Sequence, residues 1–267
     1  MRERTKKGIY IIPNLFTTAN MFSGFYAIIA AYNEDYFLAA VAILIATIFD
    51  GLDGKVARLT KTTSRFGVEY DSLADLVSFG MAPGLLAHFW ALNSYGRIGW
   101  IAAFLFVVCG ALRLARFNVQ VGTVESKYFV GLPIPAAASL LASTILLDLH
   151  FIGMDKEIIR PLVILIMTYV LAFLMVSNIR YRSFKDFNLR ERKPFRVLVA
   201  TVLILVVFAA QPYLMLFLFF AVYASSGIVE LILSPFVRTS AAKIPAKENV
   251  EEEDIEDKEI ILNKEKI

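Results

Sequence analysis

Apolar runs about as long as a bilayer is thick alternate with short polar joints along most of the chain. A membrane-crossing helix needs about 20 predominantly apolar residues. Against that length the pattern predicts eight spans, near 13–32, 36–58, 67–92, 98–117, 133–153, 157–179, 194–210 and 212–234. The first is kept as a helix, because the basic stretch Met1–Lys7 leads into a run of full span length with no small-residue cleavage site before the next hydrophobic segment. From about Ala241 the pattern stops, and nine acidic residues and five lysines fall among the remaining 27 positions with no apolar helical face. Such a segment is expected to stay solvated and disordered. The expected fold is therefore all-α: a polytopic integral membrane helix bundle of about eight transmembrane helices, residues 1–236, followed by a cytoplasmic acidic tail, 237–267.

Composition supports the membrane reading. Of 267 residues, 58% are hydrophobic and 19% charged, whereas soluble domains run roughly 45–50% apolar and about 25% charged. One cysteine and two histidines exclude a disulfide framework and a Cys/His zinc cluster. The formal charge is +3, and its distribution carries more information than its size. Arg2, Arg4, Lys6 and Lys7, then Lys55, Arg58, Lys61 and Arg65, then Arg113, Arg116 and Lys127, and finally the cations between Arg180 and Lys193 fall on alternate joints. The intervening joints offer Glu34 and Asp35, a single Arg97, then Asp155, Lys156 and Glu157. Because Lys and Arg are retained on the cytoplasmic side, both termini are expected there, in a cell membrane.

Four aspartates interrupt apolar helix at the inner end of the second span and the start of the third: Asp50 and Asp53, then Asp71 and Asp75. An ionised carboxylate at bilayer depth costs about 2.5–3.5 kcal/mol, so such groups face a cavity or a partner. Spacings of three and four put each pair on one helical face, and the short joint makes the two helices antiparallel neighbours, so all four acids can converge. Clustered hard oxygen ligands without His or Cys suit Mg²⁺, Mn²⁺ or Ca²⁺, and four carboxylates suffice for two ions about 3.5–4 Å apart, an arrangement used for phosphate chemistry. Gly51 and Gly54 open the same helix to close approach.

The run Asp50-x-x-Asp53-Gly54-x-x-Ala57-Arg58, eight residues, then Gly67-x-x-x-Asp71-x-x-x-Asp75 resembles the complete signature of the CDP-alcohol phosphatidyltransferases. Ile12–Asn20, Ala111–Asn118 and Gly131–Pro135 resemble the phosphatidylserine synthase branch of that family. The likeness runs over most of residues 9–236. It implies a Mg²⁺- or Mn²⁺-dependent transfer of a phosphatidyl group from CDP-diacylglycerol to L-serine. By the same resemblance Asp50 and Asp71 bridge two metals, Asp53 holds the first, Asp75 holds the second and acts as general base, and Gly54, Arg58 and Ser64 contact the CDP-diacylglycerol. Asn14 and Thr17 are assigned to the cytidine side; Arg113, Arg116 and Asn118, by their place on the next cytoplasmic joint, are the residues expected to contact the acceptor's carboxylate. Membrane lipids and a second copy in a homodimer are the further partners implied, with no nucleic acid.

Three other readings stay open at this level. The same metal core serves glycerol 3-phosphate or inositol phosphate as acceptor. An intramembrane prenyltransferase would use two widely separated Asp-rich stretches, which the sequence lacks. A divalent-cation transporter would need polar residues through the full thickness, and the outer halves of the spans, such as Val41–Ile48, offer almost none.

Overall fold

The computed structural model describes residues 11–60, 64–120, 128–151, 159–182 and 205–241, with Val199 and Val202 as isolated positions. Seven helices are bounded: α1 (Ile11–Tyr32), α2 (Tyr36–Thr60), α3 (Arg65–Trp90), α4 (Arg97–Gln120), α5 (Ile134–Phe151), α6 (Ile159–Val176) and α7 (Pro212–Ala241). They match seven of the eight expected spans. The expected span 194–210 lies largely outside the described residues, as do most of the 237–267 tail and the basic residues of the N-terminus and of the 183–198 joint. By length and composition α1 to α4 and α7 are able to cross a membrane, while Ile134–His150 of α5 and Pro161–Val176 of α6 are apolar but shorter. The chain divides into a unit Met1–Val229 and a second unit Glu230–Ile267, of which the described part is the end of α7.

The outward-facing side chains of the bundle are those that water would penalise and lipid would not. Phe22, Ile48, Phe104, Phe173 and Val222 are all more than half exposed, an apolar surface fit for a bilayer. The interior is built on small residues. Ala27, Ala30 and Ala31 of α1 and Ala39, Ala40, Ala42 and Ala46 of α2 are buried, which lets two backbones approach closely. Ser23 Oγ donates to the Ala42 carbonyl at 2.8 Å across the seam. The turn between α1 and α2 puts Glu34 at φ 63°, and Asp35 Oδ1 then caps α2 by accepting from the Leu38 N–H at 3.1 Å.

α3 is not a uniform helix. Arg65–Asp75 is α, Leu76–Met81 is a π segment, and Ala82–Trp90 is α again. The Ala82 N–H reaches back to Val77 O, one residue further than an α-helix allows. Pro83 follows, and its ring and missing N–H disfavour a regular α ladder around it. One pair of three-residue strands stands beside the helices: β1 (Tyr128–Val130) and β2 (Arg180–Arg182), antiparallel, with Phe129 opposite Tyr181. Hydropathy did not predict it, since three residues are too few for an alternating signal. Tyr181 is fully buried, and its hydroxyl donates to Ala224 O on α7 at 3.2 Å. Burial, with a smaller contribution from Tyr223, pushes that hydroxyl up to about 12, so it stays a donor at any physiological pH.

Candidate active site

The site forms where the start of α3 meets the end of α2 and the start of α1. α3 is capped by Ser64, whose hydroxyl accepts from the Gly67 N–H at 3.0 Å. A Cβ on Gly67 would stand 3.1 Å from that hydroxyl and 3.5 Å from Asn14 Oδ1, so this glycine permits a close α1–α3 approach. Thr18 and Tyr70 hydroxyls bond at 3.0 Å across the same contact. Asp50 and Asp53 enter from α2, and Asp71 from the second turn of α3.

Asp50, Asp53 and Asp71 each present a carboxylate oxygen within 4.8 Å of the others'. Three like charges at that separation repel by about 3 kcal/mol per pair even at an effective dielectric near 20. The donor set is that of a hard divalent cation. Asp71 Oδ1 is buried and receives no hydrogen bond from any described residue, as a ligand atom would be. Asp75 stands outside this group of three, one turn further into the bundle and only 7% exposed, though within electrostatic reach of Asp50, Asp71 and Asp53.

α1 orients two of the acids. The Thr17 hydroxyl lies 3.1 Å from Asp53 Oδ2 and 3.2 Å from Pro13 O, sharing its proton between them. Asn20, three residues on and so on the same face, donates from Nδ2 to Asp75 Oδ1 at 3.0 Å. The π segment carries Ser78 to that face as well, and its Oγ donates to Asn20 O at 2.9 Å. Gly24 makes the packing possible, since a Cβ there would sit 2.5 Å from Ser78 Cα.

A family model described as CDP-alcohol phosphatidyltransferase matches residues 10–177. The chain belongs to the CDP-alcohol phosphatidyltransferase family. Among the relatives of this transferase, a CDP-diacylglycerol–serine O-phosphatidyltransferase of Helicobacter pylori is 42% identical over 224 residues, 83% of this chain and 91% of its own length. One of the same name from Methanocaldococcus jannaschii is 36% identical over 225 residues, 84% and 96% of the two chains. An archaetidylserine synthase of Methanothermobacter thermautotrophicus is 34% identical over 183 residues, 68% and 73%.

The transferase's other sequence-predicted residues fall into distinct environments. Cβ atoms built on Gly51 or Gly54 would meet nothing within 4 Å, so that face of α2 is open beside the acids. Arg58 folds back along its own helix, Nε donating to Gly54 O at 2.8 Å. Arg113 of α4 is 8% exposed, it lies within electrostatic reach of Tyr223 and Asp75, and its Nε–H meets no acceptor among the described residues. Arg116 reaches Asn178 Oδ1 at 3.4 Å, while Asn118 bonds Ser72 and donates to Glu69 Oε2 at 3.2 Å. Of the three acceptor candidates, Arg113 is thus the one brought toward Asp75. Asn20 received no role from the sequence. Its signal in the sequence was a polar residue three positions after Thr17 in an apolar run, and the structure buries it wholly.

Proposed function

We propose that this transferase moves the phosphatidyl group of CDP-diacylglycerol to the hydroxyl of L-serine, giving phosphatidylserine and CMP. The observation that carries the reading is the 42% identity to a serine-using relative across 83% of the chain, with all four acids of the family signature in place. Asp50, Asp53 and Asp71 hold a divalent cation, Mg²⁺ or Mn²⁺, and Asp75 extends the cluster so that a second ion can bind. Bound there, the ions neutralise the diphosphate and stabilise charge on the departing CMP oxygen.

The chain's own residues supply the rest. The open Gly51 and Gly54 face of α2 receives the nucleotide, with Arg58, Ser64 and Asn14 around it. Asp75 accepts the proton of the serine hydroxyl as its oxygen attacks the phosphatidyl phosphorus. A new P–O bond to serine forms, the P–O bond to CMP breaks, and CMP leaves with the electron pair. Arg113 pairs with the serine carboxylate, a contact in which a guanidinium makes two parallel hydrogen bonds. A cluster of acids built on the end of α2 and the first turns of α3 lets a soluble amino acid meet a lipid-anchored diphosphate without either crossing the bilayer. Family membership supports a homodimer.

The test is CMP release by the purified, detergent-solubilised chain with Mn²⁺ or Mg²⁺. Diacyl and archaeal ether-linked CDP-lipids are supplied in parallel, with serine, glycerol 3-phosphate, inositol phosphate or no acceptor. Serine-dependent, chelator-sensitive release is expected. Release with another acceptor instead would keep the metal site and overturn serine.

A further inference from the structure

Asn20 carries a polar atom that the transfer chemistry above leaves idle. Its side chain is 0% exposed. Nδ2 donates to Asp75 Oδ1, and Oδ1 receives no hydrogen bond from any described residue. The backbone is fixed as well, through Ser78 Oγ on Asn20 O and the close packing of Gly24 against Ser78. The amide cannot turn over without setting its oxygen against the Asp75 carboxylate, two acceptors face to face. The Asn20 carbonyl and the Asp75 carboxylate are therefore held side by side as a fixed pair of acceptors.

Resting on the serine-transfer reading, we infer that Asn20 Oδ1 receives the α-ammonium of the acceptor, so that the site selects 2-amino alcohols. Serine carries its hydroxyl and its ammonium on neighbouring carbons. When the hydroxyl donates to Asp75, the ammonium needs an acceptor immediately beside that carboxylate, and Asn20 Oδ1 is there. A neutral amide suits the position, since a fifth carboxylate would add to the repulsion among the acids and compete for the divalent cation. The third substituent of the same carbon, the carboxylate, is then free to meet Arg113, which lies buried within electrostatic reach of Asp75. An acceptor without an ammonium would leave a buried carbonyl oxygen without a donor, which is how a site built for a polar group rejects an analogue lacking it.

The experiment compares serine with 3-hydroxypropionate, which is serine without its ammonium, on the full chain. Serine-dependent CMP release gives the KM for serine, and 3-hydroxypropionate is measured as its competitor. The ratio of the two constants reads the preference. The wild type is expected to favour serine by about tenfold or more, the weight of one hydrogen bond to a charged group. Asn20→Leu, similar in volume but without polar atoms, is expected to lose that preference. Asn20→Gln, which keeps an amide with its donor and its acceptor, is expected to retain it even at lower turnover. An unchanged ratio in Asn20→Leu, or a ratio lost in both variants, overturns the inference: the first places the ammonium elsewhere, and the second leaves Asn20 only an orienter of Asp75. If Asn20→Leu does not fold, retention or loss of the ratio in Asn20→Gln decides alone. Absence of any serine-dependent release from the wild type would instead sink the transfer reading itself.

Discussion

Thr17 and Asp53 form a pair in which a hydroxyl on one helix fixes a ligand on another. Groups that orient metal-binding side chains typically change metal affinity by about 10- to 100-fold when removed. Thr17→Val keeps the shape and loses the hydroxyl, so it should raise the Mn²⁺ concentration for half-maximal CMP release by roughly tenfold, with Thr17→Ser near wild type. An unchanged metal requirement would return Thr17 to the nucleotide alone. Asp75→Asn should lower turnover by about 10²–10⁴, the usual share of a general base, while CDP-diacylglycerol still binds, as a filter or calorimetric assay would show. Near-wild-type turnover would remove Asp75 as the base. The acids were legible because spacings of three and four on a helix have one geometrical meaning. The partner of Thr17 was not, because a helical pattern says which residues share a face and nothing about which neighbour that face meets. Ser64 shows the same limit: resemblance sets it beside the nucleotide, and its part as the cap that accepts from the Gly67 N–H is visible only in the structure.

Glycines separate packing from function at the level of the helices. Gly24 touches the Ser78 backbone, so a methyl group there must push α1 away from α3 and carry Thr17 and Asn20 with it. Overpacking of this kind costs about 1–3 kcal/mol. Gly24→Ala should therefore lower the melting temperature in detergent and cut turnover together. Gly54 has open space at its Cβ position, and replacing a helical glycine with alanine gains about 0.5–1 kcal/mol. Gly54→Ala should melt no lower than wild type yet raise the KM for CDP-diacylglycerol. A variant that melts early, or one with an unaltered KM, would contradict the assignment of that face to the nucleotide. Seven of the expected spans were legible as helices from length and hydropathy, five of them long and apolar enough to cross a membrane. The π segment was not, although Pro83 marked its neighbourhood, because its register depends on Ser78 docking against α1. The β1–β2 pair escaped because its partners lie some fifty residues apart and each strand is three residues long.

At the scale of the molecule, contacts gather the basic joints at the end of the bundle that holds the acids. Arg116 meets Asn178 there, Asn118 meets Ser72 and Glu69, and Arg180 and Arg182 pair with β1 beside them. Glu34, Asp35 and the Leu92–Tyr95 turn belong to the joints between the intervening helices. Because basic flanks are retained inside, the reading proposed here puts the acids at the cytoplasmic face, where serine arrives from water and the lipid donor from the bilayer. Cys109 is buried and is the protein's single cysteine, so Cys109→Ala gives a background for reporters. Asn93→Cys and Asn178→Cys both replace exposed residues, one on each set of joints. In intact cells a membrane-impermeant maleimide should modify Asn93→Cys and spare Asn178→Cys until the membrane is opened. The reverse labelling would invert the bundle and move serine capture to the outer face. Labelling of both sites before opening would mean that the helices between them cross no sealed bilayer.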